Sequence, residues 1–248
     1  MTNDRQARAA RAEKMRKEGE KTERRQRNVI SVAIVAVVVV LVGVGGWAIK
    51  NASDENATQT EVVTPKNVTE NGFDYPAAKP AAEGAPLVET YEDFLCSHCG
   101  DFEATTGPYL RQKADAGEIS LRFNPMTIMD GEAEEGTAHD VMNTAVCAAD
   151  EQGLEAFWKV HDALFAARFY EGSTRPTNPD LLKITEGLGI DGLDSCVKTG
   201  KFVPWINEAR EVAQKRGVTG TPTIFVADKK IEGFSQADLD KAIAEASK

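Results

Sequence analysis

One apolar run stands apart from the rest of the chain. Val29 to Ile49 (VISVAIVAVVVVLVGVGGWAI) contains no Asp, Glu, Lys or Arg, and as a helix its length would be roughly 31 Å, the hydrocarbon thickness of a bilayer. The pattern predicts a membrane-spanning helix over residues 29–49. Trp47 lies near one end, where an amphipathic ring meets lipid headgroups. Residues 1–28 at the other end carry ten Lys/Arg against five Asp/Glu, a basic segment that stays cytoplasmic and sends the rest of the chain outward. A cleaved signal peptide is the first rival, but the leader is long, the apolar run exceeds a usual h-region and no clean Ala-x-Ala follows. A buried core helix is the second, and nothing upstream could cover it.

Residues 50–85 are polar and punctuated by Ala, Pro and Gly, the composition of an extracytoplasmic linker. After them the pattern becomes that of one α/β domain, residues 86–248. Leu87–Tyr91 is a short β-prone run, and a helical stretch follows from Cys96 to about Ala116. Ile119–Phe123 alternates with period two, as a strand does. Residues from about 130 to 201 read as helical, with Phe157, Trp158, Val160, His161, Leu164 and Phe165 at helix spacing. A helix after Pro204 runs to about Lys215. Ile224–Val226 reads as a strand, Asp228–Lys230 as a hairpin turn, Ile231–Phe234 as an edge strand and Gln236–Ala246 as a closing helix.

Charge narrows the partners. The chain of 248 residues carries a net −10, and with the first 28 residues basic the excess of acid lies in the outer part. No surface there suits a phosphate backbone, so nucleic-acid binding is excluded.

Four cysteines carry the candidate chemistry: a close pair, Cys96 and Cys99, and a distant pair, Cys147 and Cys196. All four fall on the expected outer side, where disulfides persist. A second CxxC, which would pair with the first to make a cysteine zinc site, is missing. At the start of a helix that follows a strand, Cys96-Ser97-His98-Cys99 reads as a dithiol cycling between reduced and disulfide states. Backbone N–H groups and the helix dipole there favour the Cys96 thiolate. Ser97 can add a hydroxyl and His98 a hydrogen bond or positive charge. A purely structural Cys96–Cys99 bridge is the plainer alternative. Thr221-Pro222, between Gly220 and an apolar strand, can support a cis peptide bond, though an ordinary trans proline is the default for such a motif taken alone.

The runs VETYEDFLCSHCGDFE and GVTGTPTIFV, separated by helical sequence, resemble the thioredoxin fold and, within it, the DsbA-like thiol–disulfide oxidoreductases. The resemblance covers residues 85–248. It implies a thioredoxin-like α/β fold with an inserted helical subdomain, Cys96 as exposed nucleophile and Cys99 as resolving thiol. It also implies a cis-proline loop, Thr221-Pro222, that pairs with substrate backbone. Three positions depart from the family pattern: Ser97 where Pro is frequent, Thr221 where Val is, and Thr90 where an acidic residue often accepts the proton, a place Glu92 or Asp93 is left to fill.

Cys147 and Cys196 lie in the inserted helices and read as a structural disulfide, with two buried thiols or a second redox pair as rivals. Aromatic residues such as Trp158 and Trp205 read as core, and Phe94 and Leu95 as an exposed apolar rim beside the dithiol. The expected activity is oxidation of cysteines in folding exported polypeptides, with a membrane-embedded partner to restore the disulfide and neither metal nor organic cofactor. A reductase or isomerase of the same fold is the alternative enzyme. A non-catalytic peptide-binding module is the alternative of another class.

Overall fold

A five-stranded sheet forms the centre of the computed structural model, which describes residues 62–130, 136–171 and 175–247, all within the unit Glu61–Lys248. The strands are β1 (Phe73–Asp74), β2 (Leu87–Glu92), β3 (Ser120–Pro125), β4 (Thr223–Val226) and β5 (Lys229–Ile231), in the order β1-β3-β2-β4-β5. β2 is parallel to β3 and antiparallel to β4, and the edge strands β1 and β5 are both antiparallel to their neighbours. Parallel pairing needs a crossover, supplied by α1 (Ser97–Thr105) and α2 (Gly107–Asp115). Between β3 and β4 the chain inserts α3 (Thr137–Gln152), α4 (Leu154–Ala166), α5 (Asn178–Gly187) and α6 (Asp194–Thr199), then returns through α7 (Val203–Lys215). The last helix, α8, is Gln236–Ala246. This is the expected α/β sheet with a helical insertion.

Side-chain alternation gives β2 two different faces. Val88, Thr90 and Glu92 share one with the large core that contains Phe73, Phe94, Phe102, Phe123 and Phe157. Tyr91 looks the other way, toward Met126, Ala213, Val218 and Phe225. There the buried carboxylate of Glu89 is paired with Arg216 at 2.8 Å, and the same guanidinium donates to Tyr91 Oη at 2.7 Å and lies over the Phe225 ring. Trp158 and Trp205 are buried as expected.

Cys147 and Cys196 form a disulfide joining α3 to α6. Beside it the Asn143 side chain donates to the Cys196 carbonyl at 3.2 Å and accepts from Phe202 N at 2.9 Å. A buried amide is thereby satisfied on both sides.

Several elements differ from the sequence reading. Part of the expected linker is folded into the domain: Phe73 of β1 is fully buried, pairs with Phe123 and stacks on Phe157 at 4.3 Å. Ahead of it, Lys66 N and the Asn67 side chain donate to Asp150 Oδ1 and the Ala149 carbonyl. The helix expected from Cys96 to Ala116 is two helices, because Pro108 cannot donate to the carbonyl four residues back and the ladder restarts at Gly107. The hairpin turn falls at Ala227-Asp228, both at positive φ, so Lys229 and Lys230 belong to β5. Phe94 and Leu95 are buried, not an exposed rim.

Among the described residues no helix is long and apolar enough to cross a membrane. The apolar run 29–49 and the basic segment 1–28 lie outside them.

Candidate active site

β2 ends at Glu92, and Asp93-Phe94-Leu95 turns the chain into α1. Asp93 fixes that turn: its carboxylate accepts from Leu95 N at 2.9 Å, from Ile128 N at 2.8 Å and from Met129 N at 2.9 Å. Burial nevertheless pushes this carboxyl up to about 6, against the three backbone donors that favour its anion. Phe94 locks the same turn from below, packing against Phe123, Phe165 and His161. Apolar residues at 94 and 95 therefore serve to seat the dithiol. Exposed apolar side chains near the turn come instead from Ile128 and Met129, the residues whose amides hold Asp93.

Cys96 occupies the N-cap position of α1, in extended conformation, where Ser, Thr, Asp or Asn usually stands. Its sulfur stands where a capping oxygen would, near the N–H groups of the first turn, without closing a side-chain cap hydrogen bond in this thiol form. The thiol is pushed down to about 5 from an ordinary value near 9. The largest cause is a hydrogen bond from the Cys99 thiol. Burial opposes it; the Thr221 side chain and the backbone N–H groups of Cys99 and His98 add to it. Across the site, Thr221 and Pro222 are joined by a cis peptide bond. The Thr221 carbonyl accepts from Cys96 Sγ at 3.4 Å. Among the described residues the buried Thr221 hydroxyl has no hydrogen-bond partner, which leaves it free to turn its hydrogen toward the sulfur when the anion forms.

Cys99 is its opposite. One turn into α1 and fully buried, its thiol is driven well above the ordinary range, first by burial, then by its bond to Cys96 and by the nearby Glu92 carboxylate. Both residues are free thiols in this structure. Cys96 is itself buried, 6% exposed against 0% for Cys99, and so is not the exposed nucleophile expected; an acidic sulfur at the helix cap beside a basic, fully enclosed one is still the pairing that an exchange reaction uses.

Cys96, Cys99, Thr221 and Pro222 are therefore brought together at one point. Ser97 and His98 are exposed, and neither the Ser97 hydroxyl nor the His98 ring bonds to Cys96 among the described residues; His98 acts through its backbone N–H. Of two further residues in this neighbourhood, Gly100 carries no signal in the sequence and Glu92 is left there as one of two candidates. Gly100 leaves room that a Cβ would fill, since the Tyr170 hydroxyl would stand 1.9 Å from it. Glu92 lies on the same face of β2 as Thr90, two residues nearer the dithiol, whereas Asp93 lies beyond the strand. Strand alternation alone would have chosen between them.

A family model described as thioredoxin matches residues 81–245, and the chain belongs to that family. Disulfide bond formation protein D of Bacillus subtilis (strain 168) is 26% identical over 196 residues, which cover 72% of this chain and 84% of that protein. Oxidised DsbA of Mycobacterium tuberculosis is similar at a TM-score of 0.60 and 28% identity, covering 71% of this chain and 92% of that one. The reduced disulfide bond oxidoreductase DsbG of the same organism gives 0.62 and 28%, covering 71% and 87%. Fold, dithiol and relatives agree on a DsbA-like thiol–disulfide oxidoreductase.

Proposed function

We propose that the protein is a membrane-anchored thiol oxidase that passes its Cys96–Cys99 disulfide to exported polypeptides as they fold. A substrate thiolate attacks Cys96 Sγ, the Cys96–Cys99 bond breaks, and Cys99 leaves and is protonated. A second substrate thiolate then attacks the substrate sulfur of the mixed disulfide and expels Cys96 as thiolate. The substrate loses two electrons and two protons; Cys99 keeps one proton and the other goes to water. Thr221 and Pro222 line the peptide-binding edge, with Ile128 and Met129 offering apolar contact. Cys147–Cys196 braces the insertion and takes no part in exchange.

The observation that carries this reading is the acidity of Cys96, pushed down to about 5. Whatever stabilises the thiolate stabilises the reduced enzyme and makes its disulfide readier to be passed on, by about 30 mV for each tenfold. Re-oxidation falls to a membrane-embedded partner, and residues 29–49 hold the domain beside it. A glutathione redox titration of the purified protein tests the direction. An oxidising dithiol, well above the potential of cytosolic reductants, is expected; a strongly reducing one makes the protein a reductase. Redox inertness leaves only a peptide-binding module.

A further inference from the structure

We propose that Glu92, Glu103 and His161 form a binding site for a zinc ion beneath the active-site helix. The sequence argues against zinc held by cysteines; this site uses no sulfur. One ligand atom from each of the three side chains lies within 4.8 Å of the others, contributed by β2, α1 and α4. Tetrahedral zinc with bonds of about 2.0–2.2 Å sets its donor atoms roughly 3.3–3.6 Å apart, so binding would draw the three side chains inward.

What distinguishes this cluster from an ordinary group of acids is how its atoms are left. Among the described residues, neither carboxyl oxygen of Glu92 nor Nε2 of His161 has a partner at hydrogen-bonding geometry, although both residues are fully buried. Orphaned polar atoms in an interior call for an occupant. The outer groups are arranged as around a metal. His161 Nδ1 is 2.9 Å from Asp162 Oδ1, and a half-exposed carboxylate can only accept, so the ring proton sits on Nδ1 and the Nε2 lone pair faces the cluster. Glu103 is held by Arg111 at 2.9 Å. An imidazole with two carboxylates suits zinc better than magnesium or calcium, which prefer all-oxygen shells. A cavity of about 270 Å³ lined by Glu103, Arg111 and Asp162 opens beside the cluster, offering a way in.

The competing account is that Glu92 keeps a proton and shares it with Glu103 or His161. To separate them, the full-length chain is first oxidised, so that Cys96 and Cys99 cannot ligate, then stripped by chelator, equilibrated with zinc and dialysed. One zinc per chain is expected, absent from Glu92→Gln and His161→Gln. Cobalt is expected to give visible d–d bands in the wild type that His161→Gln removes. Should either core variant fail to fold, Asp162→Asn keeps the question open to test: its side chain is half exposed, and losing that partner should weaken zinc about 10- to 100-fold. No zinc on the oxidised wild type, or equal zinc on wild type and on every folded variant, overturns the proposal and leaves the shared proton.

Discussion

An acidic cysteine that occupies a helix cap has consequences that can be read in solution. With Cys96 titrating at about 5 and Cys99 well above 9, reduction at neutral pH takes up one proton for two electrons, and below pH 5 it takes up two. The reduction potential is therefore expected to fall by about 30 mV per pH unit from pH 5 to 8 and by about 59 mV per unit below 5. A single steep slope throughout would place the Cys96 thiol in the ordinary range. The same shift governs stability of the reduced form. Its thiol is more acidic folded than unfolded, so the contribution is absent below about pH 5, grows as pH rises and is complete above the ordinary thiol range. At pH 7 it amounts to about 2–3 kcal/mol, measurable by denaturant unfolding as a pH-dependent gain of the reduced over the oxidised protein. Cys99→Ala removes the largest favourable contact of the anion, so the ultraviolet thiolate titration of Cys96 should move upward. The variant should also accumulate mixed disulfides through Cys96, because no resolving thiol remains.

At the scale of elements, the least visible strand bears a large share of the packing. Phe73→Ala empties a fully buried position against Phe157, Trp205 and Phe123, and should cost about 3–5 kcal/mol of unfolding free energy. A loss below 1 kcal/mol would return residues 62–85 to the status of a linker. Replacing Cys147 and Cys196 together by Ser opens a loop of 49 residues in sequence separation, worth about 4 kcal/mol before strain. The thiolate titration of Cys96 should stay where it is, since the disulfide ties α3 to α6 and the redox centre is built on β2, α1 and the Thr221 loop. Legibility followed the length of the signal. β2, β3 and β4 were plain because alternation and β-branched residues persist over several positions, and the insertion was plain because helical spacing runs on for dozens. β1 was not, because a two-residue strand has no period and Phe73 lies in polar sequence. The break between α1 and α2 is written in Gly107-Pro108, but apolar spacing on both sides of it also fits a continuous helix. Of the site, CxxC and Thr-Pro are local motifs and could be read directly. The pairing of Glu92 with Glu103 and His161 depends on α4 packing over β2, which no local pattern encodes.

For the whole molecule, charge and hydropathy make a claim that the globular domain cannot make by itself. The domain is acidic in sequence, and it is preceded by 21 uncharged residues and a basic leader. If residues 29–49 span a membrane, the Lys and Arg excess of the leader keeps that end inside, and Cys96 is confined to the side where exported thiols emerge. The full chain should then sediment with membranes and resist extraction by high salt, which strips proteins held by surface charge alone. A chain lacking residues 1–49 should be recovered in solution with the same Cys96 titration. Orientation is checked by a membrane-impermeant thiol reagent on intact cells, with Cys96→Ser as the control. Labelling of Cys96 before lysis is expected, and on the oxidase reading it requires reductant beforehand, because an oxidase awaiting substrate would hold this sulfur in its disulfide. Labelling that appears only after lysis puts the dithiol among cytosolic reductants, where a disulfide donor could not stay charged, and the oxidase reading fails with the topology.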